Sequence, residues 1–138
     1  MLRAADIKLG IVDTTHDSAR RLVPHLADLG FAEHNIEVRE LPSLHHAIMG
    51  VHFFAEYTDV DCVLVIGTDM PGAEQYKQLL ELQVQWNMPI DCTTFGSDVS
   101  PAVRIVQQLR DVVLLQGRMA AEAPEERVAM PPRKDSVN

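Results

Sequence analysis

No apolar run in this chain approaches the ~20 residues needed to cross a bilayer, so no transmembrane segment is expected. The opening MLRAADIKLG lacks the long apolar stretch of a secretory leader, and a cytoplasmic protein is the expectation. Basic residues are scarce: 12 Lys and Arg stand against 20 Asp and Glu, for a net charge of -8. That balance argues against nucleic acid, which selects basic faces, and against an anionic membrane surface. Only two cysteines occur, Cys62 and Cys92, both inside apolar strand-like runs. Each reads as a small buried hydrophobe. On neighbouring strands they could approach, but a reducing compartment disfavours a disulfide. Internal repeats are absent. What remains is an ordinary globular mixture, 46% hydrophobic and 23% charged over 138 residues, enough for one domain that buries its own core.

Four short apolar runs alternate with four helical patterns. Residues Ile7–Val12 read as a first strand, followed by a helix that Asp17 or Ser18 can cap. Its apolar residues are Ala19, Leu22, Val23, Leu26 and Leu29, with Gly30 as the stop and Pro24 as a predicted kink. Asn35–Glu40 alternates like an edge strand, and Ser43 then caps a second helix with Leu44, Ala47, Ile48, Val51, Phe54 and Ala55 as its buried stripe. Cys62–Ile66 is apolar throughout, as a central parallel strand is. A third helix is expected over Ala73 to Trp86, and its leucines and Trp86 read as core or subunit contact. Ile90–Phe95 forms the fourth strand, and Ser100-Pro101 opens a fourth helix with Val103, Val106, Leu109 and Val113 on one face. This order predicts an α/β domain over 1–118, three layers deep, with a mostly parallel sheet. Among the possible strand orders 2-1-3-4 is chosen, which places a switch point between strands 1 and 3. The Ala, Glu, Pro and Arg-rich residues 119–138 read as a disordered or neighbour-contacting tail.

Open α/β sheets bind ligands at the carboxyl ends of their strands, beside a switch point, here between strands 1 and 3. The loops expected at that edge are Asp13-Thr14-Thr15-His16, Leu41-Pro42-Ser43, Gly67 to Gly72, and Thr94-Phe95-Gly96. The two glycines of GTDMPG permit close backbone approach, but the Lys-Ser/Thr ending of a phosphate-binding loop is missing. His45 and His46 point to different sides of a helix, and no acidic or Cys partner completes a set, so no metal is expected. A phospho-acceptor pocket built on Asp13 and Asp69 lacks its fifth strand and a suitably placed lysine.

Gly10-Ile11-Val12-Asp13-Thr14-Thr15 resembles the opening of archaeal-type riboflavin synthases, relatives of lumazine synthase with a flavodoxin-like sheet. Met70-Pro71-Gly72 with Ala73-Glu74 is similar to that family's loop after strand 3, and Leu41-Pro42 more loosely to its ribityl-binding region. The resemblance implies a homo-oligomer, a pentamer or a multiple of it, with sites shared between subunits. It implies dismutation of two 6,7-dimethyl-8-ribityllumazine molecules into riboflavin and a ribitylamino-pyrimidinedione, with no cofactor. By the same resemblance, Asp13, Thr14 and Thr15 contact ring or ribityl atoms, and Gly67, Thr68, Met70, Pro71 and Gly72 line the second position. Leu41 and Pro42 meet a ribityl chain, and Phe95 supplies a ring face. Arg104 lies roughly where lumazine synthases hold a phosphate-binding arginine. His16, with Asp13, is placed for proton transfer. The chain departs from the family in carrying His16-Asp17-Ser18 where an aromatic and a nearby basic residue are usual. Its third helix is also shorter. Two alternatives remain: a non-catalytic oligomeric lumazine- or flavin-binding scaffold, and lumazine synthase, whose histidine at the start of helix 3 is replaced by Ala73-Glu74-Gln75.

Overall fold

In the computed structural model, which describes residues 2–122, four parallel strands form one sheet in the order β2-β1-β3-β4. They are β1 (Leu9–Asp13), β2 (Ile36–Glu40), β3 (Cys62–Gly67) and β4 (Ile90–Thr94). Register places Asp13 beside Glu40 and Ile66, and Gly67 beside Thr94, so all four strands end at one level. Alternation along the strands divides the core in two. Leu9, Ile11, Cys62, Leu64 and Ile66 face α1 (Ser18–Leu22) and α4 (Ser100–Glu122). Val12, Val63, Val65, Ile90 and Cys92 face α2 (Ala47–Tyr57) and α3 (Ala73–Trp86). The expected three-layer α/β architecture and strand order are therefore present. No helix among the described residues is long and apolar enough to cross a membrane.

The boundaries shift for local reasons. Ile7 is buried, but it closes a 3-10 turn over Ala4–Asp6 and precedes the ladder. The Lys8 N–H donates to the Asp61 carboxylate at 2.8 Å, so β1 begins at Leu9 and runs on to Asp13. Pro24 interrupts the first helix as expected. It has no N–H to donate and its ring crowds the preceding turn, so α1 gives way to a 3-10 segment, Val23–Leu29. Gly30 ends that segment at φ 96°, a left-handed conformation that suits glycine. Neither Asp17 nor Ser18 caps α1 with its side chain, and Ser43 does not cap α2. Ser43 instead precedes a 3-10 turn, Leu44–His46, with its hydroxyl 3.0 Å from His46 Nδ1. The third helix has the expected bounds. Phe95 falls just beyond β4.

α4 continues past position 118 to Glu122, because Met119, Ala120, Ala121 and Glu122 are all good helix formers. The rest of the expected tail, 123–138, lies outside the described residues. Cys62 and Cys92 do sit on adjacent strands, but Cys92 is in register with Val65, and the two thiols belong to opposite faces of the sheet. Both are free. Burial, and secondarily the Asp91 charge, pushes the Cys92 thiol up to about 12.

Candidate functional site

The chain leaves β1 toward the α1/α4 face and leaves the adjacent β3 toward the α2/α3 face. Such a divergence opens a crevice above the carboxyl ends of two neighbouring strands. The Asp13–Thr15 loop flanks it on one side and the Gly67–Gly72 loop on the other.

Asp13 is fully buried at this edge, and three donors converge on its carboxylate. Oδ1 accepts the Thr15 N–H at 2.8 Å and the Thr15 hydroxyl at 2.7 Å, while Oδ2 accepts the Ala19 N–H at 2.8 Å. The N-terminus of α1 is thus capped by a strand residue, with a full negative charge set against the positive end of the helix. Thr15 extends the network: its one hydroxyl proton goes to Asp13, and its oxygen accepts the Ser18 N–H at 3.2 Å and the Ser18 hydroxyl. A carboxylate offers about four acceptor positions, and three are taken here inside the protein. Asp13 is therefore a positioning residue that shapes the loop.

Thr14 does similar work across the switch point. Its N–H and its hydroxyl both donate to the Ile66 carbonyl, at 3.0 and 2.8 Å. The Asp13 carbonyl in turn accepts the Leu41 N–H at 2.9 Å, which ties the loop after β2 to the same corner. Gly67 completes the junction. A methyl there would lie 2.7 Å from the Asp69 carbonyl oxygen and 3.2 Å from Leu44 Cδ1, so glycine is required by close approach. The structure therefore gathers Asp13, Thr14, Thr15, Leu41 and Gly67 into one bonded unit. Leu41 also packs into the α2/α3 core, whereas Pro42 is exposed.

Thr68, Met70 and Gly72 stand exposed beyond that unit, with Pro71 half-buried between them. Gly72 is the N-cap of α3, a position that favours glycine, and its carbonyl accepts the Tyr76 N–H at 2.9 Å; a side chain there would meet open space. His16 is exposed at φ 82°, a left-handed conformation that few residues other than glycine adopt. The Asp13 and Thr15 bonds on either side hold the chain through that turn. Phe95 and Arg104 belong to the rim formed by β4 and α4. One face of the Phe95 ring is covered by Arg21, whose guanidinium carbon lies 4.7 Å from the centroid. Arg104 is exposed in the first turns of α4. Nearby, Asp98 accepts the Ser100 N–H at 3.0 Å, which holds its carboxyl below the usual range.

Two contributors were not anticipated. Ser18 is buried against Thr15, and Arg21 straps α1 to the loop after β4 by donating to the Gly96 and Ser97 carbonyls at 3.0 and 3.2 Å. Ser18 had a signal, as a small polar residue one turn after Thr15. Arg21 had none, because its partners are distant in sequence. Among the described residues, no group of three or more His, Cys, Asp or Glu is placed to hold a metal ion. No family model matches the chain, and no curated protein matches it in sequence.

Proposed function

We propose that this chain is the subunit of an archaeal-type riboflavin synthase that binds 6,7-dimethyl-8-ribityllumazine at the carboxyl edge of its sheet. One observation carries the reading. The two segments that resemble the family, Gly10 to Thr15 and Met70-Pro71-Gly72, arise from adjacent strands and flank the switch-point crevice. In this reading Asp13, Thr14 and Gly67 set the shape of the crevice. Thr68, Met70 and Pro71 line it, and His16 carries the proton transferred when a lumazine methyl group is ionised. A second subunit completes the site, within a cytoplasmic homo-oligomer of five subunits or a multiple of five.

The commitment of Asp13 favours one competing reading. With three of its about four acceptor positions used inside the protein and the family's aromatic residue replaced by His16, the crevice suits a paralogue that binds lumazine or flavin without turnover.

A single experiment separates the two. The protein is mixed with 6,7-dimethyl-8-ribityllumazine, riboflavin absorbance is followed, and binding is measured in parallel by equilibrium dialysis. Riboflavin formation that falls at least ~10-fold in His16→Ala, a typical effect of losing a general acid or base, supports the enzyme. Saturable binding without riboflavin supports the scaffold. Absence of both, or a monomer by sedimentation, overturns the proposal.

A further inference from the structure

A second candidate site lies at the opposite end of β4. A cavity of about 710 Å³ opens between the C-terminus of α3, the first residues of β4 and the middle of α4. We propose that it binds a small organic cation with an apolar body, anchored by the Asp91 carboxylate. The cavity shares no residue with the carboxyl-edge site, so this inference stands apart from the riboflavin synthase reading.

Its size falls in the range of roughly 300–1,000 Å³ typical of small-molecule sites. Met88, Ile90 and Leu109 form an apolar base, while Val84 and Val112 stand at the mouth, 76% and 44% exposed. Valine side chains left so open suit the alkyl or aromatic part of a ligand.

The polar groups select charge. None of the lining residues is basic. Alternation along β4 sends Ile90 and Cys92 into the α2/α3 core and Asp91 to the other side, toward α4. One Asp91 oxygen accepts the Cys92 N–H at 3.0 Å. Among the described residues no cationic side chain pairs with Asp91. The other acid of the lining, Asp111, is already paired with Arg110 at 2.9 Å. Burial pushes the Asp91 carboxyl up, the mark of a charge with no compensating partner.

α3 adds to the negative field. It terminates at the cavity, with Asn87 at φ 50°, and a helix C-terminus favours cations. The walls are fixed by carboxamides. Gln83 Oε1 accepts the Ile90 N–H at 2.9 Å, and Gln116 Nε2 donates to Asn87 Oδ1 at 3.3 Å.

The test titrates the full chain with phenethylammonium and n-hexylammonium chloride by calorimetry, with phenethyl alcohol as the neutral match. Amide chemical shifts locate the binding. Asp91→Asn keeps an oxygen for the Cys92 N–H, and Val112→Trp fills the mouth without touching the charge. Both ammonium compounds are expected to bind, with shifts at Met88–Asp91 and none at Asp13–Thr15. Phenethyl alcohol and Asp91→Asn should each show affinity lower by at least ~10-fold, the loss of one charge-assisted bond, and Val112→Trp should abolish binding. The proposal is overturned if neither ammonium compound binds at millimolar concentration. It is equally overturned if the alcohol or the Asp91→Asn variant binds as well, or if the shifts map to the carboxyl edge.

Discussion

Replacing Asp13 tests whether it holds the loop or acts on a ligand. In Asp13→Ala, the Thr15 N–H and the Ala19 N–H lose their acceptor together, and Ala19 is buried. The Thr15 hydroxyl retains Ser18 as a partner, so its loss is the smallest. A hydrogen bond to a charged acceptor contributes about 1.5–3 kcal/mol, and an orphaned buried N–H costs about 1–3 kcal/mol. Removing a desolvated carboxylate returns part of that sum, which leaves a net cost of about 3 kcal/mol. Asp13→Asn keeps an oxygen for Thr15 but turns an amide donor toward the Ala19 N–H, at a cost of about 2 kcal/mol. For a domain of this size those figures lower Tm by about 6–12 °C. Urea denaturation followed by circular dichroism measures both variants. If each lies within ~0.5 kcal/mol of the parent, the scale of an ordinary surface substitution, the capping account of Asp13 fails.

Gly67→Ala should destabilise by about 1–3 kcal/mol in the same urea assay, because the new methyl meets a backbone carbonyl that cannot move without the loop. Wild-type stability there would show that the junction is loosely packed. Asp91 links stability to pH. Its folded carboxyl is raised above the ordinary value of 3.8, so the native state holds the proton more tightly than the unfolded chain and loses stability as pH rises above 3.8. Asp91→Asn should therefore raise Tm at neutral pH and confer no gain below pH 3.8; a variant less stable at neutral pH would contradict this sign. The Cys92 thiol, pushed up to about 12, should resist iodoacetamide in the native protein at mildly alkaline pH and react once it is unfolded. Rapid native labelling at Cys92 would refute its burial.

How far the sequence carries depends on the range of the interaction behind each feature. The four strands and their parallel pairing follow from apolar runs of the right length and from the alternation of strand and helix, both local or nearly so, whereas the order 2-1-3-4 was a choice among parallel arrangements that the structure bears out. Helix α3 was legible in its bounds because its pattern falls between the Gly67–Gly72 loop and Pro89, which cannot continue a helix. The cap of α1 was legible only in part, as the plainer of two readings, in which Asp13 and Thr14 cap the first helix from their loop instead of meeting a ligand. Its acceptor lies inside the preceding strand, six residues before Ala19, and local capping patterns look only at the residue adjoining the helix. Ile7 misled in another way, since burial alone does not distinguish a ladder residue from one that closes a 3-10 turn. Arg21 and its contacts with Phe95, Gly96 and Ser97 depend wholly on tertiary proximity.

The Asp13 network also changes what the motif can be taken to mean. Asp13, Thr14, Thr15 and Gly67 all have work to do in any protein that turns this corner: capping α1, tying β1 to β3, or admitting close-packed backbone. A likeness made of such residues speaks first for the fold, and only through it for a ligand. The residues that packing leaves unexplained are different ones. Thr68 and Met70 are exposed, and His16, also exposed, occupies a left-handed conformation. A left-handed histidine costs free energy on the order of 1 kcal/mol, which the Asp13 bonds to Thr15 and Ala19 across the turn offset, while nothing in that network uses the imidazole ring. The weight of the functional proposal therefore rests on His16 and the loop after Gly67, and substitutions there, rather than at Asp13, separate chemistry from architecture.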